Sequence, residues 1–339
     1  MKFTEHLSVT DPSGIGEIRR VAVRLAEGLG FDEELKGRVA IVLNELSSNM
    51  LKHAKGGEII AVSEQKGDVV KLDIFAYDQG PGMDNVHRCM QDGYSTSGTV
   101  GGGLGAISRL PNLFDIYSRP GKGTAIYCSF RLNHPAQPRS MEWGGLNLVY
   151  PGELVSGDDY AYFDSPDFSV VTVVDGIGHG NAAHEAAQLA VKTFCNSVDQ
   201  SSQEILSLVH KALVGSRGAA VAIARIDHVK NELTYSALGN IAGQILLPET
   251  SQSLMSLDGI AGQIARRIQT VTYPWSPQAV LMMHSDGLSS RNRFDHETYP
   301  GIALRHPALI AGVLMRDAKR GRDDATVLVG RSNRGREKS

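Results

Sequence analysis

The chain is poor in cysteine, in long apolar runs and in net charge. Its three cysteines, Cys89, Cys128 and Cys195, lie too far apart for a zinc motif or a disulfide framework, so a reducing cytoplasm is expected. No stretch approaches the ~18 consecutive apolar residues of a membrane span. The opening MKFTEHLSVTDPSG has no apolar core of the kind a secretion signal needs. Against 37 acidic residues stand 34 Lys and Arg, a net charge of −3, which gives no electrostatic case for nucleic acid or an anionic membrane. Internal repeats and low-complexity tracts are also missing.

What remains is ordinary globular composition, 42% apolar and 21% charged, over 339 residues, a length that favours two domains. A boundary shows at 133–140, where NHPAQPRS puts two prolines and small polar residues between strand-like segments. The expected organisation is a first domain over 1–132, a linker over 133–140, a second domain over 141–331 and a basic, solvated tail over 332–339.

Four acidic stations stand out in the second half. They are Gly157-Asp158-Asp159, Asp175-Gly176-Ile177-Gly178-His179-Gly180, Ser285-Asp286-Gly287 and Asp323-Asp324-Ala325-Thr326. Each is expected at the end of an apolar strand such as Phe168–Val174 or Val280–Met283. Any one alone reads more readily as a hairpin turn, since Asp-Gly is the commonest turn pair. Taken as a set, aspartates without His or Cys at ligand spacing suit hard cations such as Mg²⁺ or Mn²⁺. Carboxylates gathered without cations between them would repel, and a two-metal centre acting on a phosphate ester is the chemistry they suggest.

The series GDD, VVDGIGHG, HSDG and DDATVLV, with RGAAVAIARID and ALGNIAG between, resembles the metal-dependent protein phosphatases (PPM) of the SpoIIE and RsbX branch. The likeness spans about residues 143–331. It implies a β-sandwich flanked by helices and two Mn²⁺ or Mg²⁺ ions. Asp175 would be catalytic and bridge both ions, and the Gly176 carbonyl would bind one of them. Asp286 and Asp323 would complete the second ion, with Asp158 contributing directly or through water. In-line attack of water on phosphorus, with no covalent enzyme intermediate, is the implied reaction. Asp159 and Asp324 are expected in supporting hydrogen bonds. Many relatives place a histidine directly after the bridging Asp-Gly; here Ile177 stands there. His179 is expected to shape the turn into a helix over 182–194, and the leaving-group acid stays unassigned.

In the first half, Asp32–Ala54 reads as one long helix. Asp32 is its N-cap, apolar residues recur at helical intervals, and Gly56-Gly57 end it. Glu45 and Asn49, four apart, share one face, either as a surface-edge pair or as a base beside a Mg²⁺ ligand. The strand Val69–Tyr77 runs into Asp78-Gln79-Gly80-Pro81-Gly82-Met83, where glycines admit a flat ligand and Asp78 is placed to accept from an exocyclic amine. Then 95–105, STSGTVGGGLG, opens a helix expected over Ala106–Leu110, and its N–H groups suit phosphate. The Gly101-x-Gly103-x-x-Ala106 letters are no Rossmann fingerprint, because polar text precedes them. Gly121-Lys122-Gly123-Thr124 is no Walker A, because residue 117 is tyrosine.

Together LNELSSNMLKHA, DQGPGM, STSGTVGGGLG and GKGTAI resemble the GHKL ATP-binding fold, an α/β sandwich, and within it the RsbT-type switch kinases, over about residues 5–132. That likeness implies ATP with Mg²⁺. Glu45 would orient or deprotonate the nucleophile and Asn49 would hold Mg²⁺. Asp78 and Thr124 would take the adenine, and Gly80, Gly82, Gly101, Gly103 and Gly105 would line pocket and lid. The expectation for the whole is a bacterial, cytoplasmic, two-domain α/β protein, a Ser/Thr kinase joined to a phosphatase. Its implied partners are STAS-domain proteins of the RsbS/RsbR or anti-sigma-antagonist type, upstream of a stress or sigma-factor pathway. The alternative is a first half that only binds a partner, as anti-sigma factors do, fused to an active phosphatase.

Overall fold

The computed structural model describes residues 2–66, 69–91, 103–132, 140–247, 249–263, 267–289 and 294–333. The chain divides into two compact units, Met1–Gln137 and Pro138–Ser339. Among the described residues no helix is long and apolar enough to cross a membrane.

In the first unit the elements run β1 (Lys2–Val9), α1 (Gly14–Gly28), α2 (Glu33–Ala54), β2 (Gly57–Lys66), β3 (Val69–Tyr77), α3 (Val86–Cys89), α4 (Gly103–Arg109), β4 (Leu113–Ser118) and β5 (Thr124–Arg131). The strands form one antiparallel sheet in the order β1-β2-β3-β5-β4. One face of the sheet takes the helices. Val39, Val42, Leu43, Leu46 and Met50 of α2 share a core with Ile59, Leu72, Ile74, Cys128 and Phe130. Asp32 caps α2 as expected, its Oδ1 accepting from the Leu35 N–H at 2.8 Å. The helix ends differently from the sequence reading. Lys55, not a glycine, takes the left-handed conformation (φ 61°). Gly56 is reserved for a close approach, since a Cβ there would lie 2.5 Å from the Val9 carbonyl oxygen. The helix expected over Ala106–Leu110 begins three residues earlier, inside the glycine run.

The second unit contains β6 (Met141–Leu148), β7 (Asp158–Asp164), β8 (Phe168–Gly176), α5 (Asn181–Cys195), α6 (Ser202–Ala212), β9 (Ala219–Asp227), β10 (Glu232–Leu238), β11 (Ala242–Leu246), β12 (Ser251–Leu254), β13 (Val271–Pro274), β14 (Val280–His284), α7 (Pro307–Ala318) and β15 (Ala325–Ser332). Two five-stranded sheets, β13-β10-β9-β8-β7 and β12-β11-β14-β15-β6, face each other. Between them lies a core that includes Val171, Val173, Ala222, Tyr235, Leu281, Met283 and Leu328. On the outer face of the first sheet, α5 and α6 bury Ala187, Phe194, Leu206 and Val209 against Val170, Val174 and Val221. Helix α7 covers β6 and β15 of the second sheet, and the approach is close. A Cβ on Gly144 would sit 2.1 Å from the Ala308 nitrogen.

The acidic stations do not all end strands. Asp158 and Asp159 open β7, and Asp323 and Asp324 precede β15. Antiparallel pairing is the reason. It sets the start of β7 beside the end of β8 and the start of β15 beside the end of β14.

Candidate active sites

The carboxylate centre is built from strand ends of both sheets. In the first sheet the ladder places Asp158 directly opposite Asp175. In the second, Ser285 locks the turn after β14 onto β15. Its N–H donates to the Thr326 carbonyl at 3.0 Å, and its Oγ accepts from the Thr326 N–H at 3.0 Å. Asp286 is thereby held beside Asp323 and Asp324. Gly287 permits the approach, because a Cβ there would lie 1.9 Å from the Asp324 carbonyl oxygen. Asp324 itself, 2% exposed, staples the sheets together. Its two oxygens accept from the N–H groups of Tyr150 and Gly157, both at 2.8 Å.

These carboxylates raise one another's affinity for protons. Burial pushes Asp158 well above the usual carboxylate range, and the Asp175 charge adds to it. Burial, then the charges of Asp286, Asp323 and Asp324, push Asp175 up to about 7. Burial and Asp323 raise Asp286, partly offset by Arg320. Asp158 Oδ2 is buried with no hydrogen-bond partner. Among the described residues no three such side chains close on a common point at coordinating distance. An orphaned buried carboxylate oxygen, beside acids held partly neutral by their neighbours, is a donor set that fits hard divalent cations. Asp158, Asp175, Gly176, Asp286 and Asp323 are all brought to this junction. Asp159 is not turned to it, since Gln188 of α5 donates to its Oδ2 at 2.8 Å.

Sequence reasoning gave no role to several residues at the rim. Asn240 donates to Asp286 Oδ2 at 2.7 Å and fixes that carboxylate. Glu153 Oε1 meets His179 Nδ1 at 2.6 Å, and the Tyr150 ring lies 5.3 Å from the His179 ring. His179 thus joins the loop before β7 to the loop after β8. The quoted ALGNIAG segment held the only linear signal for Asn240; Glu153 had none.

The first unit carries a cradle. The Asp78 N–H donates to the Thr124 carbonyl at 2.9 Å, and Asp78 Oδ1 accepts from the N–H groups of Gly80 (2.8 Å) and Thr124 (3.3 Å). Thr124 Oγ1 pairs with Ser118 Oγ at 2.9 Å. Gly82 has φ +69°, and a Cβ there would stand 1.9 Å from the Arg119 carbonyl oxygen. A Cβ on Gly80 would meet Ala54, at the end of α2, at 2.6 Å. Nine and five residues earlier on that helix, about 13 Å and about 7 Å along its axis, Glu45 and Asn49 face the start of α4. A Cβ on Gly103 would be 2.8 Å from Glu45 Oε2 and 3.9 Å from Asn49 Nδ2. Gly105 is buried within α4. Gly101 lies outside the described residues, as does most of the glycine-rich run. The Glu45 carboxylate and Asn49 amide at the start of α4, with Asp78 and Thr124 near the other end of α2, are a donor set that fits a nucleotide and its Mg²⁺.

Comparison with known proteins agrees with this geometry. Residues 166–333 match the family described as Stage II sporulation protein E (SpoIIE), and residues 9–130 match the histidine kinase-like ATPase domain. The chain is 37% identical over 112 residues to the serine/threonine-protein kinase RsbT of Bacillus subtilis (strain 168), covering 32% of this chain and 81% of RsbT. A solved structure described as the bacterial stressosome, a modular system adapted to control secondary messenger signalling, aligns with TM-score 0.52 and 25% identity. It covers 56% of this chain and 99% of that one. RsbX in complex with magnesium shares the fold, with TM-score 0.50 and 20% identity over 58% of this chain and 98% of its own.

The fold is that of a two-domain α/β protein, a histidine kinase-like ATPase domain followed by a domain that matches Stage II sporulation protein E and shares the fold of RsbX. The chain belongs to the RsbT serine/threonine kinase family through its first half, and its second half is similar to Stage II sporulation protein E.

Proposed function

We propose that this chain both phosphorylates and dephosphorylates regulators of a bacterial partner-switching pathway. The observation that carries the reading is the junction of Asp158, Asp175, Asp286 and Asp323, four carboxylates from two sheets with burial and mutual charge raising three of them. Asp175 would serve both of two Mn²⁺ or Mg²⁺ ions, the Gly176 carbonyl one of them, and Asp286, Asp323 and Asp158 the other. Such ions, when bound, activate water and neutralise charge on a phosphoryl group. The protein's own part is to hold that geometry through Asn240 on Asp286 and Asp324 across the sheets.

In the kinase half, Asn49 would hold the Mg²⁺ of Mg·ATP and Glu45 would orient or deprotonate the accepting hydroxyl. Asp78 and Thr124 would take the adenine, with Gly80, Gly82, Gly103 and Gly105 lining the pocket. The separation of Glu45 from Ala54 along α2 lets one helix meet both ends of a nucleotide. Kinship with RsbT and likeness to a stressosome structure support STAS-domain proteins as the phosphorylated partners, and the cytoplasm as the place. The test is Mn²⁺-dependent phosphate release from a generic phosphate ester by the full chain. Activity lost in chelator and restored by Mn²⁺ is the expected result. Release that persists in chelator would refute the metal-dependent phosphatase reading.

A further inference from the structure

Resting on that phosphatase reading, we infer that Arg217 is a phosphate-positioning residue of the second unit. β8 and β9 pair Asp175 with Ala220 and Gly176 with Ala219. The contact continues beyond the strands, the Ile177 N–H donating to the Gly218 carbonyl at 3.1 Å. The next step outward sets Arg217 across from Gly178, three residues after Asp175. The side chain confirms this placement. Arg217 Nη1 lies 3.5 Å from the Ile177 carbonyl oxygen, and a Cβ on Gly178 would be 2.6 Å from the same nitrogen. Gly178, at φ +88°, leaves the space that the guanidinium fills.

The position is anchored from below. Gln263 donates its side-chain amide to the Arg217 carbonyl, and Ala219 exchanges backbone hydrogen bonds with Ala261 at 3.1 and 2.9 Å. The backbone is thus fixed while the side chain is exposed. Among the described residues no carboxylate pairs with this guanidinium. Arg320 differs in that its charge already acts on Asp286. Arg217 therefore keeps its donors for an incoming group. Its fork of N–H groups matches the non-bridging oxygens of a phosphomonoester, and the carboxylates nearby repel that dianion, so a cation at the rim has a positional task. Ile177, where many relatives carry histidine, is 37% exposed beside it and offers no competing charge.

The test compares full-length wild type with Arg217→Ala and Arg217→Lys at saturating Mn²⁺. Three readouts are used: KM and kcat for a phosphopeptide, the inhibition constant for inorganic phosphate, and mass-spectrometric phenylglyoxal labelling of Arg217 with and without inorganic phosphate. Roughly tenfold increases in KM and in the phosphate inhibition constant are expected for the alanine variant, with a smaller change in kcat. Lysine should recover part of the loss, and phosphate should protect wild-type Arg217 from labelling. An active wild type whose KM and phosphate inhibition are unchanged by alanine, or whose Arg217 labels equally with phosphate present, overturns this inference alone. A wild-type chain that releases no phosphate overturns it together with the phosphatase reading.

Discussion

Asp175 shows how one side chain couples function to stability. In the folded, metal-free chain it holds its proton up to about pH 7, whereas an unfolded aspartate releases its proton near ~3.9. A raised carboxyl opposes folding more and more as pH climbs from about 4 to about 7, and fully above that. Asp175→Asn should therefore melt higher than wild type at pH 8 in chelator, by about 1–4 kcal/mol of stability, with the advantage gone below about pH 4. With Mn²⁺ present the same variant should lose phosphatase activity by roughly a hundredfold or more. A melting scan with and without metal, alongside turnover, checks both signs. In the other half, Asn49→Ala should weaken Mg·ATP binding by roughly tenfold, while Glu45→Ala spares binding and abolishes transfer. Calorimetry and a labelled-phosphate assay separate the two.

Residue types were more legible than residue orientation. Asp158-Asp159 and Asp323-Asp324 stand out as doublets, yet neighbouring residues at a strand start face opposite ways. Which of each pair turns inward depends on the partner strand. Asp324 proved to be the sheet-to-sheet staple, and its two N–H donors lie 174 and 167 residues away in sequence. No linear pattern announces such a bond.

At the scale of elements, periodicity and caps placed α2 and β3 closely, because a strong N-cap and a bounded apolar run act locally. Strand order and the meeting of strand starts with strand ends are non-local, so two acidic stations were read on the wrong end of their strands. The β6–β15 pair shows another non-local device. Arg331 sits opposite Glu142 and binds it, while also donating to the carbonyls of Leu304 and Arg305 at 2.9 and 2.6 Å. His306 Nε2 is 3.3 Å from the other Glu142 oxygen. Burial pushes the Glu142 carboxyl up, but His306 and then Arg331 outweigh it and hold it at about 2. Its contribution to stability is complete above about pH 4.5 and is lost as pH falls toward 2. Glu142→Gln should thus cost about 2–4 kcal/mol at neutral pH by removing the carboxylate charge opposite Arg331. Paired thermal melts should show the gap closing under acid.

The turn after β3 is an element-scale test for the kinase half. Gly82→Ala forces a Cβ against the Arg119 carbonyl, so the turn must move. ATP binding should fall at least about tenfold, whereas hydrolysis of a generic phosphate ester is untouched. Calorimetry for the first and a colorimetric rate for the second decide it.

In the whole molecule, one chain is proposed to carry opposed activities on a phosphorylated partner. Both on one phosphosite, without gating, would only consume ATP. The halves are therefore expected to act on different sites or to be alternately favoured, and coupling of ~1–3 kcal/mol is enough to shift the balance several-fold to a hundredfold. The most direct measurement uses γ-labelled ATP, Mg²⁺, Mn²⁺ and a STAS-domain protein with three forms of the full chain. Asp175→Asn should accumulate label on a serine or threonine of the STAS protein, Glu45→Ala should add none, and wild type should remove label from the pre-labelled protein in a chelator-sensitive way. A stable complex without label transfer by Asp175→Asn would contradict the account and leave the first half a binding module.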